Sequence, residues 1–152
     1  MQIGDKIEDF SFTATNGLSG KFSQFKGKNV VLYFYPKDST PGCTMESKSF
    51  RDHSKDFAAC DTIILGISKD SINSHEKFKA KHCMPFDLIS DNDAALCNLF
   101  DVLKNKSLFG VKYIGIERST FLIDKNGVLR QEWRKVKVLG HVEKVLAAAK
   151  SL

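Results

Sequence analysis

The chain has 152 residues and a mass of 17.0 kDa, enough for one domain spanning residues 1–152 with a core that needs neither disulfides nor a structural metal. Its composition, 42% hydrophobic and 27% charged, excludes a disordered chain, and twelve phenylalanines point to aromatic-rich packing. The net charge of +5 comes from scattered lysines with no zinc-finger, RRM-like or arginine-rich pattern, so no nucleic-acid partner is expected.

The opening residues Met1 to Lys6 carry no basic-then-apolar leader, and no stretch is apolar enough to span a bilayer. A soluble cytoplasmic protein with no membrane partner is therefore expected. In chain order, Phe10 to Ala14 alternates like a strand, Asn16-Gly17 suits a tight turn, and Leu18 to Phe22 completes an N-terminal β-hairpin. The run Asn29 to Tyr35 is rich in β-branched and aromatic residues and reads as a buried strand ended by Pro36. Pro41-Gly42 fits a turn, and Thr44 to Ala59, free of proline and glycine, reads as one helix. Thr62 to Ser68 is a second buried strand that completes a βαβ unit and implies a parallel sheet. A helix over Ile72 to His82, a strand over Phe86 to Ile89 and a helix over Ala94 to Phe100 follow, the last capped by Asp91-Asn92-Asp93. The segment Lys104 to Ile116, with Gly110 and Gly115, reads as a loop long enough for mobility or site construction. Ser119 to Asp124, the turn Lys125-Asn126-Gly127 and Val128 to Trp133 form an antiparallel hairpin. Val142, Val145, Leu146 and Ala149 recur at helical spacing, so a C-terminal helix packs on the sheet. These elements define an α/β protein with a central mixed β-sheet flanked by helices.

Four cysteines, Cys43, Cys60, Cys83 and Cys97, lie far apart, and a stable disulfide framework is not expected. Cys43 follows a rigid loop and opens a helix, where unpaired N–H groups and the positive end of the helix dipole favour a thiolate. Cys97 falls in an apolar helical pattern and reads as core. Cys60 follows the negative end of a helix and is not expected to be catalytic.

The strand before Pro36, the Pro36…Thr40…Cys43 spacing, Glu46 one helical turn on, and Arg118 before Thr120-Phe121-Leu122-Ile123-Asp124 resemble a peroxiredoxin, within the bacterioferritin comigratory protein or peroxiredoxin Q group. The resemblance covers nearly the whole chain and implies a thioredoxin-like fold and a peroxidase needing no cofactor or metal. Such an enzyme reduces hydrogen peroxide and organic hydroperoxides with electrons from thioredoxin, and serves antioxidant defence, usually as a monomer. It assigns Cys43 as the peroxidatic nucleophile, Arg118 as a charge for thiolate and peroxide, Thr40 as a hydrogen-bonding partner of the peroxide, Pro36 as a wall of the pocket, and Glu46 as the residue that orients Arg118.

The pattern breaks at the second cysteine. The position five residues after Cys43, where many members place a resolving cysteine, is Lys48, and the alternative position on the following helix aligns with Lys79. Cys83, four residues beyond Lys79, is the intramolecular candidate: on the same helix face if the helix continues, in a loop if Pro85 ends it near His82. Its alternative is a packing cysteine, in which case an external thiol such as thioredoxin, glutaredoxin or glutathione reduces Cys43 directly. Three readings stand beside this one: a metal module built on His75, His82 and Cys83, a thioredoxin-type reductase, and a noncatalytic peroxide sensor. The reductase lacks its second cysteine, since Cys43-Thr44-Met45-Glu46 has none.

Overall fold

The computed structural model describes residues 1–152. Strands β1 (Ser11–Thr13) and β2 (Ser19–Lys21) pair antiparallel across Asn16-Gly17, and a 3-10 turn (Phe22–Phe25) leads to β3 (Asn29–Phe34). Then come α1 (Pro41–Asp52), α2 (Ser54–Ala59), β4 (Thr62–Ser68), α3 (Ile72–Lys81), β5 (Asp87–Ser90) and α4 (Ala95–Leu99). A second hairpin, β6 (Leu103–Leu108) and β7 (Val111–Ile116), precedes β8 (Ser119–Ile123), β9 (Leu129–Trp133) and α5 (His141–Lys150).

The main sheet has the order β5-β4-β3-β8-β9, parallel across β5, β4 and β3 and antiparallel across β3, β8 and β9. This is the expected mixed sheet. Every residue of β3 is buried, and the period-2 alternation splits them between two cores. Val30, Leu32 and Phe34 face the layer of β1, α4 and Phe100; Val31, Tyr33 and Tyr35 face α1, α2, α3 and α5. Burial of each such large apolar side chain contributes roughly 1.5–3 kcal/mol, so β3 is the strand on which both layers are hung.

Two expectations are corrected. The single helix Thr44 to Ala59 is two helices that begin earlier and meet at His53, whose N–H is shared between the Ser49 and Phe50 carbonyls at 3.2 Å each while its ring Nδ1 lies 2.9 Å from the Ser49 carbonyl. Competing local bonds at this residue end the first helix without any glycine or proline. The presumed loop Lys104 to Ile116 is the β6–β7 hairpin, closed by Phe109-Gly110 with φ of 51° and 79°. Positive φ at both central residues is the two-residue hairpin turn whose twist suits its strands.

Candidate active site

Cys43 is the third residue of α1 and 1% exposed. Thr40 caps the helix with extended backbone, and Pro41 occupies the first turn, where its missing N–H leaves nothing unpaired. The first backward bond runs from Thr44 N–H to the Thr40 carbonyl at 2.9 Å, so the N–H groups of Gly42 and Cys43 have no helical acceptor. The helix is held on the sheet by Tyr33, whose ring stacks on Phe50 at 4.5 Å and whose hydroxyl lies 2.9 Å from Ser47 Oγ. Gly66 makes this possible, because a Cβ there would stand 2.7 Å from the Tyr33 ring.

Arg118, in the link between β7 and β8, bridges the two acidic groups of the site. Its Nη2 donates to Cys43 Sγ at 3.3 Å and its Nη1 to Glu46 Oε1 at 2.7 Å. Burial alone would lower the guanidinium, but Glu46 and Cys43 beside it hold it above its usual range, so it is a fixed cation. Glu46 is fully buried with Oε2 unpartnered, and burial pushes its carboxyl up to about 7 against the pull of Arg118. Gly42 admits the arginine: a Cβ there would lie 3.1 Å from Nη2.

The Thr40 hydroxyl donates to the Lys37 carbonyl at 2.8 Å, which leaves its oxygen lone pairs as acceptors. Pro36, half-buried, turns the chain out of β3 into the loop that carries Thr40. The structure thus gathers Cys43, Glu46 and Arg118 into one bonded cluster, with Thr40 at the helix cap. Sequence reasoning passed over several neighbours. Gly42 stood inside the motif but had only a turn assigned to it. Lys106, on β6, donates to the Ile116 carbonyl at 2.5 Å; its amine is lowered by burial and by Arg118, and the hairpin that carries it was read as a loop. Thr120 Oγ1 lies 2.8 Å from His141 Nε2, and burial, with Lys144 and Arg118 nearby, pushes this histidine down to about 4. His141 in turn meets Trp133 edge-on at 5.8 Å.

Cys83 lies outside the cluster. It is exposed, just past the end of α3, with φ of 51°. Helix α3 stops at Lys81, so the loop placement holds. The end of α3 is tied to α1 by Arg51 Nη1, which donates to the His82 carbonyl at 2.9 Å. Arg51 lies eight residues beyond Cys43, about 12 Å along the helix axis. Cys97 is fully buried, and burial together with Asp91 pushes its thiol up, in keeping with a core residue. Cys60 Sγ donates to the Phe57 carbonyl at 3.3 Å beyond α2. His75, His82 and Cys83 do not converge on a metal: both ring nitrogens of buried His75 have protein partners within 3.0 Å, whereas Cys83 faces outward. His75 lies instead near Asp38 and Asp70, whose ligand atoms fall within 4.8 Å of one another but are all engaged in hydrogen bonds.

A buried cysteine at a helix start after a central strand, hydrogen-bonded by a half-buried arginine, is the arrangement of thiol peroxidases on a thioredoxin-like fold. The AhpC/TSA family pattern matches residues 3–132, and the chain belongs to that family. Within it, the chain is 51% identical over all its 152 residues to peroxiredoxin Bcp of Bacillus subtilis, covering 97% of that protein. Peroxiredoxin Bcp of Xanthomonas campestris is 47% identical over 94% of this chain and 89% of its own. The solved bacterioferritin comigratory protein of Xanthomonas campestris, studied for alkyl peroxide reduction, superposes with a TM-score of 0.90 at 44% identity over 97% of this chain and 98% of its own. A cysteine-to-serine mutant of Xylella fastidiosa PrxQ gives 0.94 at 41% identity over 99% and 96%. These likenesses put the chain among the Bcp/PrxQ peroxiredoxins. No helix is long and apolar enough to cross a membrane.

Proposed function

We propose that the chain reduces hydrogen peroxide and organic hydroperoxides through Cys43. The observation that carries this is the 3.3 Å bond from Arg118 to Cys43 Sγ, itself backed by the 2.7 Å bond from Arg118 to buried Glu46. The Cys43 thiolate attacks the terminal peroxide oxygen; a sulfur–oxygen bond forms as the oxygen–oxygen bond breaks. The electron pair leaves with the distal oxygen, which takes up a proton as water or alcohol. Sulfur loses two electrons and becomes a sulfenic acid. Charge spreads over sulfur and both oxygens in the transition state, so a preorganised cation and N–H groups aimed along that line supply most of the acceleration. Arg118 and the first-turn N–H groups of α1 fill that role, while Thr40 Oγ1 accepts the peroxide O–H and Pro36 limits water.

In the second half, the Cys83 thiol attacks the Cys43 sulfenic sulfur, releases water and forms a disulfide that thioredoxin reduces. Exposure of Cys83 and the Arg51 tie between α1 and α3 favour Cys83 over Cys60 and Cys97. The alternative is direct reduction of Cys43 by an external thiol. The four free cysteines fit an enzyme kept in a reducing compartment such as the cytoplasm, and the enzyme is taken to act as a monomer. Nonreducing peptide mapping after one equivalent of peroxide tests both halves. A Cys43–Cys83 peptide is the expected product; Cys43→Ser should abolish peroxide consumption, and full turnover in that variant would sink the proposal. A sulfenic acid at Cys43 with no linked partner would leave the first half standing and replace the second by the one-cysteine route.

A further inference from the structure

At the Pro36–Thr40 loop sits a buried hydrogen-bonded pair, Asp38 and His75, that touches neither the reacting sulfur nor its arginine. His75 of α3 is 0% exposed; its Nε2 lies 3.0 Å from the Ile89 carbonyl and its Nδ1 2.7 Å from Asp38 Oδ2. A carbonyl can only accept, so Nε2 donates. The Asp38 carboxyl also receives the Tyr35 hydroxyl at 2.6 Å and the Ser74 hydroxyl at 2.8 Å, so both of its oxygens and both ring nitrogens of His75 are engaged. The Asp38 N–H donates to Asp70 Oδ2 at 2.9 Å, and Asp70 is held by the Ser68 hydroxyl at 2.5 Å.

These bonds over-determine one loop residue. Asp38 is joined to β3 through Tyr35, to the end of β4 through Asp70 and Ser68, and to α3 through Ser74 and His75; His75 adds β5 through Ile89. The next residue, Ser39, is held at φ of 64°, a left-handed conformation that costs a non-glycine residue roughly 1–2 kcal/mol. After it, the Thr40 hydroxyl closes back on the Lys37 carbonyl at 2.8 Å, so the turn from Lys37 to Thr40 is wrapped around Asp38. The chain enters α1 in the direction this turn dictates, with Thr40 two residues beyond Asp38 and Cys43 five.

We propose that His75 is a positioning residue for peroxide reduction: paired with Asp38, it fixes the Pro36–Thr40 loop and thereby the place where Thr40 Oγ1 holds the peroxide against Cys43. This rests on Cys43 being the peroxide-reactive thiol. Its role lies in geometry rather than in the reactivity of the sulfur, which has its own partner in Arg118. A misplacement of about 1 Å at a reacting centre slows a reaction roughly a hundred-fold. A reagent that needs the thiolate but no oriented oxygen–oxygen bond should not notice such a shift.

The test compares two reactions of the same sulfur in folded protein: oxidation by hydrogen peroxide, followed by stopped flow, and alkylation of Cys43 by iodoacetamide, read by peptide mass. His75→Gln should lower the peroxide rate constant about ten-fold or more and leave the alkylation rate within about two-fold. In a Thr40→Val background His75→Gln should add little further loss, because the group it positions is already gone. If His75→Gln does not fold, the pair-neutral variant Asp38→Asn/His75→Gln, which buries no unpaired charge, takes its place with the same expectation. An unchanged peroxide rate in either folded variant overturns the proposal. So does a parallel fall in both reactions, which would make the pair ordinary packing. Cys43→Ser run alongside separates a failure of this inference from a failure of the Cys43 assignment, since only the latter leaves peroxide consumption intact.

Discussion

At Glu46 a carboxyl group has been carried into the protein interior and given one arginine contact for its two oxygens. Its folded value of about 7 lies above the ordinary 4.5, and the sign follows. Below the ordinary value the group is protonated in both states. Between there and about pH 7 the unfolded chain releases the proton and the folded one keeps it, so stability falls as pH rises, by about 3 kcal/mol across the window. Urea denaturation from pH 4 to 8 should show this fall, and Glu46→Gln, which keeps an oxygen for Arg118, should flatten it. Equal slopes in the two proteins would place its origin elsewhere. At Gly42 the expected effect is on rate: Gly42→Ala puts a methyl group 3.1 Å from Arg118 Nη2 and should slow oxidation by peroxide about ten-fold while the helix, with alanine in it, stays folded. A variant as fast as the parent would show that the guanidinium has room to retreat. Of these site residues, Cys43, Thr40, Glu46 and Arg118 were legible because they lie in a contiguous motif or a fixed register. His75 and Asp38 were not, since a bond between residues 37 positions apart leaves no local pattern.

Among the elements, the end of α3 has unusual backbone chemistry. Met84 N–H donates to the Lys79 carbonyl and Cys83 N–H to the Ala80 carbonyl, at 3.1 and 3.3 Å, which is a Schellman cap with cysteine where glycine usually stands. Relief of the left-handed backbone in Cys83→Gly should stabilise the reduced protein by about 1 kcal/mol and raise Tm by a few degrees in calorimetry. The same variant should lose the intramolecular disulfide. A lower Tm would mean that the Cys83 side chain contributes more than its backbone costs. Because Cys43 is buried in the first turn of α1 and the segment carrying Cys83 is tied to the other end of that helix, closing the proposed disulfide calls for the two segments to move toward each other. Elements with a buried face were the legible ones: β3 and β4 announce themselves as apolar runs because both faces are covered, and β8 shows through the Lys125-Asn126-Gly127 turn that follows it. The β6–β7 hairpin did not, because it is largely exposed, Phe109 at its tip by 96%, so no core imposes alternation on it. The α1–α2 break was hidden for another reason, namely that a histidine ring in place of a glycine or proline ends the first helix.

Across the whole molecule the Cys43–Arg118–Glu46 cluster sits at one end of the sheet, where β3 hands over to α1 and β7 to β8, so the proposed chemistry falls at the edge of the frame. Arg118 connects that end to the rest. Its carbonyl receives the Val136 N–H at 3.0 Å, from the segment that follows β9. Two residues on, Thr120 pairs in register with Trp133 and bonds to His141, whose ring also stands against Trp133. Trp133 is the chain's one tryptophan. The protein therefore carries one tryptophan, joined through His141, Thr120 and the neighbouring backbone to the segment that holds Arg118, the arginine of the proposed site. Oxidation of Cys43 should loosen Arg118, shift Trp133 emission and let each redox step be watched without a label. The signal should vanish in Cys43→Ser, and an emission change on adding peroxide to that variant would trace the optical response to some other site.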